Sequence, residues 1–230
     1  TTGEANILIG SDAGGSITTD QYVTIVGYSA GQYMESGNGN RYNSYFGATA
    51  GYRGGPGIHQ TYIGGEAGLY VTGSYNTFVG SQAGKGGTTS APYSSGGQNV
   101  AIGYKAMQAF TSGHENTVMG YEAAYNLTSA DNNVIIGYQT GYNLTTSRYN
   151  VLIGDNAGYN LQQSSANNDN VMIGNDAGYA GDYTWPQATD NVYVGRSAGR
   201  YLDDGYANVA IGKEAGFANS SEGNQSYQSV

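Results

Sequence analysis

The side chains that could support acid–base chemistry are few and scattered along the chain. The two histidines, His59 and His114, each come shortly before a short apolar segment and lie far apart. General acid–base or nucleophilic catalysis needs such a group beside a nucleophile or a carboxylate at a defined geometry. One histidine in each of two distant places does not supply that arrangement. We therefore assign no catalytic residue and predict that the chain is not an enzyme.

Carboxylates recur at similar places along the chain, at Asp12, Glu66, Asp155, Asp176 and Glu214. A calcium-binding solenoid shows Gly-Gly-x-Gly-x-Asp turns, and the sequence lacks them. Because the chain has no cysteine, thiolate metal sites are excluded as well. We predict neither a metal site nor a cofactor.

A carbohydrate site is the most specific binding hypothesis that the residue types allow. The segments 159–169 and 179–190 are long, and the second contains the only tryptophan. Flat aromatic faces stack on sugar rings, and amides and carboxylates hydrogen-bond to their hydroxyls. The candidate binding residues are therefore Tyr183, Trp185, Asp182, Asn167 and Asn168. In the alternative interpretation, Trp185 packs its own loop against the rest of the chain.

These residues are positioned by a nine-residue phrase, Asn-x-x-apolar-Gly-x-x-Ala-Gly, which occurs twelve times between Asn6 and Gly216. Successive copies of its fifth residue are 17, 20, 17, 16, 23, 17, 17, 17, 20, 21 and 17 positions apart. A phrase repeated at near-fixed spacing is typical of a solenoid. The fifth position is glycine in every copy: Gly10, Gly27, Gly47, Gly64, Gly80, Gly103, Gly120, Gly137, Gly154, Gly174, Gly195 and Gly212. We predict an all-β solenoid, a parallel β-roll of about twelve coils of about 17 residues, with these glycines as structural turns.

Positions two to four of each phrase predict a short strand with two apolar faces. Positions two and four share one face and position three takes the other, because successive strand residues point to opposite sides. Position three is apolar in every copy, and position four is Ile, Val, Phe or Met. A single thin coil has only one interior, so the second face needs another cover. The sequence therefore predicts a homo-oligomer.

Other positions of the phrase predict packing inside and along the rod. Position eight is alanine in eleven copies and Thr140 in the other, which indicates a narrow interior. Asparagine recurs at position one in ten copies, and stacked asparagines form amide ladders along an axis. Tyrosines recur just before and just after the phrase, and we expect them to stack on each other rather than to bind glycans.

Composition limits the partners. The chain has 230 residues, 11% of them charged, and a net charge of -9. An acidic chain with eight Lys and Arg is a poor ligand for phosphate backbones, so we predict no nucleic-acid partner. No apolar run approaches the ~18 residues of a membrane span. We expect one repeat domain over 1–216, followed at 217–230 by a degenerate coil, cap or linker.

The phrase from Asn116 to Ala123, Asn-Thr-Val-Met-Gly-Tyr-Glu-Ala, resembles the head repeats of trimeric autotransporter adhesins. The longer form from Asn133 to Thr145 resembles repeats of phage and bacterial tail-fibre-domain proteins. The resemblance covers nearly the whole chain, although adhesin heads have a shorter period. It implies a left-handed roll with three parallel chains around one axis.

The function expected from these patterns is a structural and adhesive rod, part of an extracellular or viral tail fibre. It would be located outside the cell, on the cell surface or on a virion, with itself and possible surface glycans as partners. Two alternatives remain open. Threonine at position two in Thr24, Thr61, Thr77 and Thr117 admits an ice-binding or small-ligand solenoid. The solenoid fold also occurs in polysaccharide-degrading enzymes, although no carboxylate cluster is evident.

Overall fold

The computed structural model describes residues 3–34, 41–90, 92–161, 168–179, 187–202 and 204–217. Within them lie fourteen strands of three residues each and no helix. The strands are β1 (Ile7–Ile9), β2 (Thr24–Val26), β3 (Ser44–Phe46), β4 (Thr61–Ile63), β5 (Thr77–Val79), β6 (Val100–Ile102), β7 (Thr117–Met119), β8 (Val134–Ile136), β9 (Val151–Ile153), β10 (Val171–Ile173), β11 (Gln187–Thr189), β12 (Val192–Val194), β13 (Asp204–Tyr206) and β14 (Val209–Ile211).

Twelve of these strands form one parallel sheet, in which each strand pairs with that of the next phrase. The register is constant: position two pairs with position two, as in Val134 with Val151, and position four with position four. The chain is thus a β-solenoid of about eleven turns. This confirms the predicted fold class and the placement of one strand in each phrase.

Two small additions lie outside this sheet. Strands β11 and β13 pair in parallel as a separate two-stranded sheet, and Val71 and Ser94 form an isolated parallel bridge. In each pairing one partner, β11 or Ser94, lies in a coil longer than 17 residues, and the other, β13 or Val71, lies in a coil of 17 or 16 residues. Part of the extra length of the long coils therefore adds strand pairing beside the main sheet. The sequence did not predict these pairings.

Position three of the phrase forms the core. Apart from the first copy, Leu8, its side chains are buried along the whole sheet. Tyr45, Tyr62 and Phe78 stack in this row with ring centroids 5.0 and 5.1 Å apart. The alanines at position eight are buried from Ala30 to Ala198, as is Thr140, which replaces alanine in the eighth coil. The prediction of a narrow interior at position eight is confirmed.

The buried tyrosines differ in how their hydroxyls are satisfied. The Tyr45 hydroxyl bonds to the Gln60 side chain. The hydroxyls of Tyr62 and Tyr193 have no hydrogen bond of ordinary geometry, although the Asn76 and Asn208 side chains lie nearby. Burial raises the pKa of Tyr62 well above its usual value and that of Tyr193 to about 12. Ionisation of either phenol would therefore oppose folding.

An asparagine ladder runs through the interior from Asn76 to Asn208 beside this core. Asn133, for example, donates from Nδ2 to Asn116 Oδ1 at 3.0 Å and to the Ser147 carbonyl at 3.0 Å. Its Oδ1 accepts from the backbone N–H and the Nδ2 of Asn150, both at 3.0 Å. Each amide thereby joins three successive coils. The predicted amide ladder is confirmed.

The fifth-position glycines have a conformation that other residues rarely adopt. All twelve have φ between +122° and +142°. A Cβ on Gly64 would lie 2.5 Å from the Gly80 carbonyl oxygen in the next coil. The predicted structural turn therefore depends on both the dihedral angle and the close approach of the next coil.

Each coil also contains non-glycine residues in the left-handed region, which the sequence did not predict. The residue before the asparagine and the residue at position seven have positive φ in all twelve coils. Among them is Thr49 at +55°, and β-branched residues are uncommon in this region. Stacking imposes the same backbone on every coil, so these corners override local preference.

A buried ion pair replaces part of the asparagine ladder near the N-terminal end. Val23 occupies the asparagine position there, and Arg41 donates from Nε to Asp20 at 2.5 Å with both side chains buried. Arg41 also donates to the Gly55 carbonyl at 3.0 Å. Through these bonds Arg41 connects the coil before it, at Asp20, with the coil after it, at Gly55.

At the other end, Phe217 packs edge-on against Tyr201 with ring centroids 5.8 Å apart. The rest of the predicted C-terminal segment 217–230 lies outside the described residues. No helix in the described part of the chain is long and apolar enough to cross a membrane.

Candidate interaction surface

The outward side of the twelve-stranded sheet is an apolar surface, called here the outer face. It consists of the residues at positions two and four of each phrase. Ile63 and Met119 are 42% and 43% exposed, and most other residues at these two positions are half-buried. The position-three residues of the same strands, Tyr62 and Val118, are fully buried. The described chain leaves this second apolar side of each strand uncovered.

The two rows of the outer face differ in chemistry along the rod. After Ile7 in the first coil, position two continues as a hydroxyl row, Thr24, Ser44, Thr61 and Thr77, whose members pair in register. From Val134 onward this row is valine in every coil. Position four is aliphatic, aromatic or Met throughout. The apolar character therefore persists from end to end, while hydroxyls occupy only part of one row.

The outer face is large for a surface that stays in contact with water. Twelve strands spaced ~4.8 Å apart give a length of about 53 Å. With a width of roughly 12–15 Å, its area is on the order of 600–800 Å². That reaches one partner's share of a standard protein–protein interface, about 800 Å². The largest apolar patch of a typical monomer is about 300–600 Å².

Two columns of residues, nearly all of them exposed, border the outer face. The leading column is the residue before each asparagine: Ala5, Tyr22, Tyr42, His59, Tyr75, Gln98, Glu115, Asn132, Tyr149, Asp169, Asp190 and Ala207. The trailing column is the residue after each fifth-position glycine: Ser11, Tyr28, Ala48, Gly65, Ser81, Tyr104, Tyr121, Tyr138, Asp155, Asn175, Arg196 and Lys213.

Aromatic rings stack within both columns. In the leading column, Tyr42, His59 and Tyr75 follow one another with centroids 5.1 and 5.3 Å apart. In the trailing column, Tyr121 and Tyr138 are 5.3 Å apart. Stacked rings cover each other's faces and leave mainly edges and hydroxyls outward, which disfavours sugar stacking on them.

A third aromatic row follows the phrase, away from the outer face. Tyr125, Tyr142 and Tyr159 stack at 5.0 and 5.2 Å. The prediction that these tyrosines stack on each other is confirmed.

The histidines and carboxylates considered for chemistry are involved in local contacts. His59 lies in the leading stack, and His114 accepts at Nδ1 from the Gly97 N–H at 3.1 Å. Glu66 pairs with Lys85 at 2.7 Å, and Asp176 with Arg200 at 3.4 Å. Among the described residues, no group of three or more His, Cys, Asp or Glu side chains is placed to hold a metal.

The predicted carbohydrate site can be located only in part. Asn168 accepts at Oδ1 from the Arg148 N–H at 2.9 Å, and its carbonyl accepts from the Asp190 N–H at 3.1 Å. Asn168 therefore joins three neighbouring coils. Asn167, Asp182, Tyr183 and Trp185 lie outside the described residues, so the carbohydrate site stays a prediction.

Comparison with known proteins found no match: no family model, curated protein or solved structure is similar to this chain.

Proposed function

We propose that this chain is a non-enzymatic structural rod that self-associates through its outer face as part of an extracellular or viral fibre. The observation that carries this proposal is the uncovered apolar side of the parallel sheet, which runs the full length of the solenoid.

The physical argument concerns what the outer face needs. Covering one large apolar side chain contributes about 1.5–3 kcal/mol, and this surface presents one or two such side chains in every coil. A long, regular strip is best matched by another strip of the same length and spacing. A second copy of the chain offers that match, whereas a compact ligand would cover only a few coils.

The remainder of the molecule suits a mechanical role. Each coil is tied to the next by three strand residues and by the asparagine ladder. Several hydrogen bonds act side by side at each junction between coils, so an axial load is shared among the bonds of that junction. The resemblance to adhesin heads and tail-fibre repeats supports three chains as the number in the assembly and contact with surface glycans as a further role.

The test is the molecular mass in dilute buffer by analytical ultracentrifugation. We expect a stable oligomer for the wild type and a folded monomer for Ile153→Asp, which places a charge on the outer face at the ninth of its twelve strands. Ser112→Asp is the matched control, because Ser112 is exposed away from the outer face. A wild type that stays a soluble, folded monomer at micromolar concentration would overturn the proposal.

Ice binding is the second candidate, because the hydroxyl row Thr24, Ser44, Thr61 and Thr77 lies in register on the outer face. The row ends at Val100, so it covers only part of the rod. A thermal-hysteresis measurement separates the two functions. Hysteresis lost in Thr61→Lys and retained in Ser112→Lys would favour ice binding over self-association.

A further inference from the structure

The longest coil of the rod builds a groove on a side other than the outer face. Gly80 and Gly103 are 23 positions apart, whereas the basic spacing is 17. The groove has a volume of about 510 Å³, within the roughly 300–1,000 Å³ of small-ligand sites. Its lining residues come from four successive coils, beginning at Pro56 and ending at Ser112, and none of them belongs to the outer face. The extra length of this coil therefore adds a concave surface that the shorter coils do not need in order to stack.

Hydrogen bonds on both sides hold the extra segment in place. Ser94 donates from its N–H to the Tyr70 carbonyl at 2.9 Å in the preceding coil, and from Oγ to the Phe110 carbonyl at 2.7 Å in the following coil. The Ser95 N–H donates to the Thr111 carbonyl at 2.7 Å. The groove is therefore formed before a ligand arrives, so binding does not have to order the segment.

Tyr93 gives the groove a flat apolar wall of fixed orientation. Its ring stacks on Tyr70 with centroids 6.1 Å apart and planes 16° apart, and its hydroxyl accepts from Arg53 Nη1 at 3.1 Å. Among the described residues no second aromatic ring packs on Tyr93, so ring stacking covers only one of its faces. Pro56 and Pro92 add exposed apolar surface, and their rings lose almost no side-chain entropy on binding.

The described residues that line the groove also supply five aliphatic hydroxyl groups and no charged side chain. The hydroxyls of Thr72, Thr88 and Thr111 donate to backbone carbonyls at 3.0 to 3.2 Å, which leaves their oxygens as acceptors. Ser95 and Ser112 are exposed, and within the described ranges their hydroxyls have no hydrogen bond. These two serines can therefore both donate to a ligand and accept from it.

This combination fits the ring of a neutral sugar. A pyranose ring has an apolar C–H face, which packs on flat apolar side chains, and a rim of hydroxyls, which exchange hydrogen bonds with serine and threonine. An acidic sugar would find no cation in the described lining and would meet a chain of net charge -9. A proline-rich peptide binds aromatic-lined grooves, whereas the described lining has one aromatic ring, Tyr93.

We propose that this groove binds a neutral oligosaccharide, with one sugar ring against Tyr93 and the two prolines, and with hydroxyls bonded to Ser95 and Ser112. The inference rests on the glycan contact of the proposed function and gives that contact a place and a ligand class. It does not require self-association. The groove is separate from the carbohydrate site that the sequence predicts at Tyr183 and Trp185.

The first test applies the full chain to an array of neutral and sialylated oligosaccharides. The neutral glycan that binds best is then titrated by calorimetry, and a proline-rich peptide is titrated in parallel. We expect binding to neutral glycans and none to the peptide. Binding confined to sialylated glycans or to the peptide would overturn the inference, and so would an array without any bound neutral glycan.

A bulky side chain at Ser112 places the binding in the groove. Ser112→Trp fills the groove from an exposed position and should abolish binding of the neutral glycan. Thr146→Trp is the matched control, because Thr146 occupies the equivalent position two coils further along, outside the lining. It should bind as the wild type does. Equal binding by Ser112→Trp and Thr146→Trp would exclude the groove as the site.

Replacements of Tyr93 test the contact with the sugar ring. Tyr93→Ala should weaken binding about tenfold, because it removes the flat apolar wall. Tyr93→Phe keeps the ring and should stay within about threefold of the wild type. Urea unfolding of each variant checks that the rod stays folded. A Tyr93→Ala variant that is folded and binds like the wild type would contradict the proposed stacking.

Two further outcomes separate this inference from the other proposals. Binding that is lost in Tyr183→Ala with Trp185→Ala, and kept in Ser112→Trp, would move the glycan contact from the groove to the other loops. An oligomer that binds no neutral glycan would overturn the inference alone. A monomer that binds the glycan through the groove would overturn the proposed self-association alone.

Discussion

Replacing Gly64 by alanine tests why the fifth position of the phrase is always glycine. Gly64 has φ of +133°, a region occupied almost only by glycine, where alanine costs about 1–3 kcal/mol. The added Cβ would also lie 2.5 Å from the Gly80 carbonyl oxygen, about 1 Å inside an ordinary contact of ~3.5 Å. The substitution thus carries two separate penalties.

The second penalty acts on the hydrogen bonds between the fourth and fifth coils. To relieve the contact, these coils must separate, which weakens the bonds from Gly80 N–H to Ile63 O at 2.7 Å and from Thr61 N–H to Asn76 O at 2.9 Å. Two such bonds at about 0.5–1.5 kcal/mol each, added to the dihedral cost, give a total loss of about 2–6 kcal/mol. That is a large part of the ~5–15 kcal/mol stability of a typical domain.

Two matched controls separate these causes. Gly65 follows Gly64 directly, and a Cβ there meets nothing closer than the Ala48 carbonyl oxygen at 4.0 Å. Gly65→Ala should therefore stay within about 0.5 kcal/mol of the wild type. Gly212 has φ of +122° and no described atom within 4 Å of an added Cβ. Gly212→Ala should lose only the dihedral part, about 1–3 kcal/mol.

The assay is urea unfolding followed by near-ultraviolet circular dichroism, with midpoints compared at equal protein concentration. We expect the lowest midpoint for Gly64→Ala. Equal midpoints for Gly64→Ala and Gly65→Ala would refute the reasoning altogether. Equal free-energy losses for Gly64→Ala and Gly212→Ala would show that the close approach of the next coil contributes nothing.

Three other outcomes follow from the interior. Tyr62→Phe removes a buried hydroxyl that has no ordinary hydrogen bond, so it should raise the free energy of unfolding by about 1 kcal/mol. Tyr45→Phe loses the bond to Gln60, so it should lower the free energy of unfolding. A lower free energy of unfolding in Tyr62→Phe would contradict this reasoning. Burial raises the pKa of Tyr193 from 10.0 to about 12, so the folded protein keeps this phenol neutral. The contribution of the neutral phenol to the free energy of unfolding is therefore complete below pH 10 and is lost as the pH rises towards 12. In thermal melts from pH 9 to 12 the melting temperature should fall, and it should fall less in Tyr193→Phe than in the wild type. An equal fall in both proteins would count against this role of Tyr193. Asn133→Ala leaves the Asn150 N–H and the Ser147 carbonyl of the next coil without their side-chain partner and should cost about 2–4 kcal/mol in urea unfolding. Ser112→Ala is the surface control, and a midpoint like the control's would mean that the ladder is dispensable.

The sequence by itself determined the number of coils, the strand in each coil and the residues of the ladder and turns. It could do so because these features are local and repeated. The apolar run at positions two to four predicts a strand wherever it occurs, and a glycine conserved across twelve copies of one chain marks a backbone requirement. Even the stacking of Tyr125 on Tyr142 follows from equal spacing, since parallel coils place equivalent positions one above the other.

The tertiary structure decided which side of each strand lies inside. Position four is as apolar as position three, and position two is apolar in seven of the twelve copies, so the pattern alone leaves both sides eligible for burial. Closing the coil requires sharp corners, and these place non-glycine residues such as Thr49 at positive φ. Only the closed and stacked coil, whose corners turn Ile135 inward and Ile136 outward, produces an uncovered apolar surface. The buried pair of Asp20 and Arg41 likewise depended on the folded coil, because two residues 21 positions apart meet only when successive coils stack.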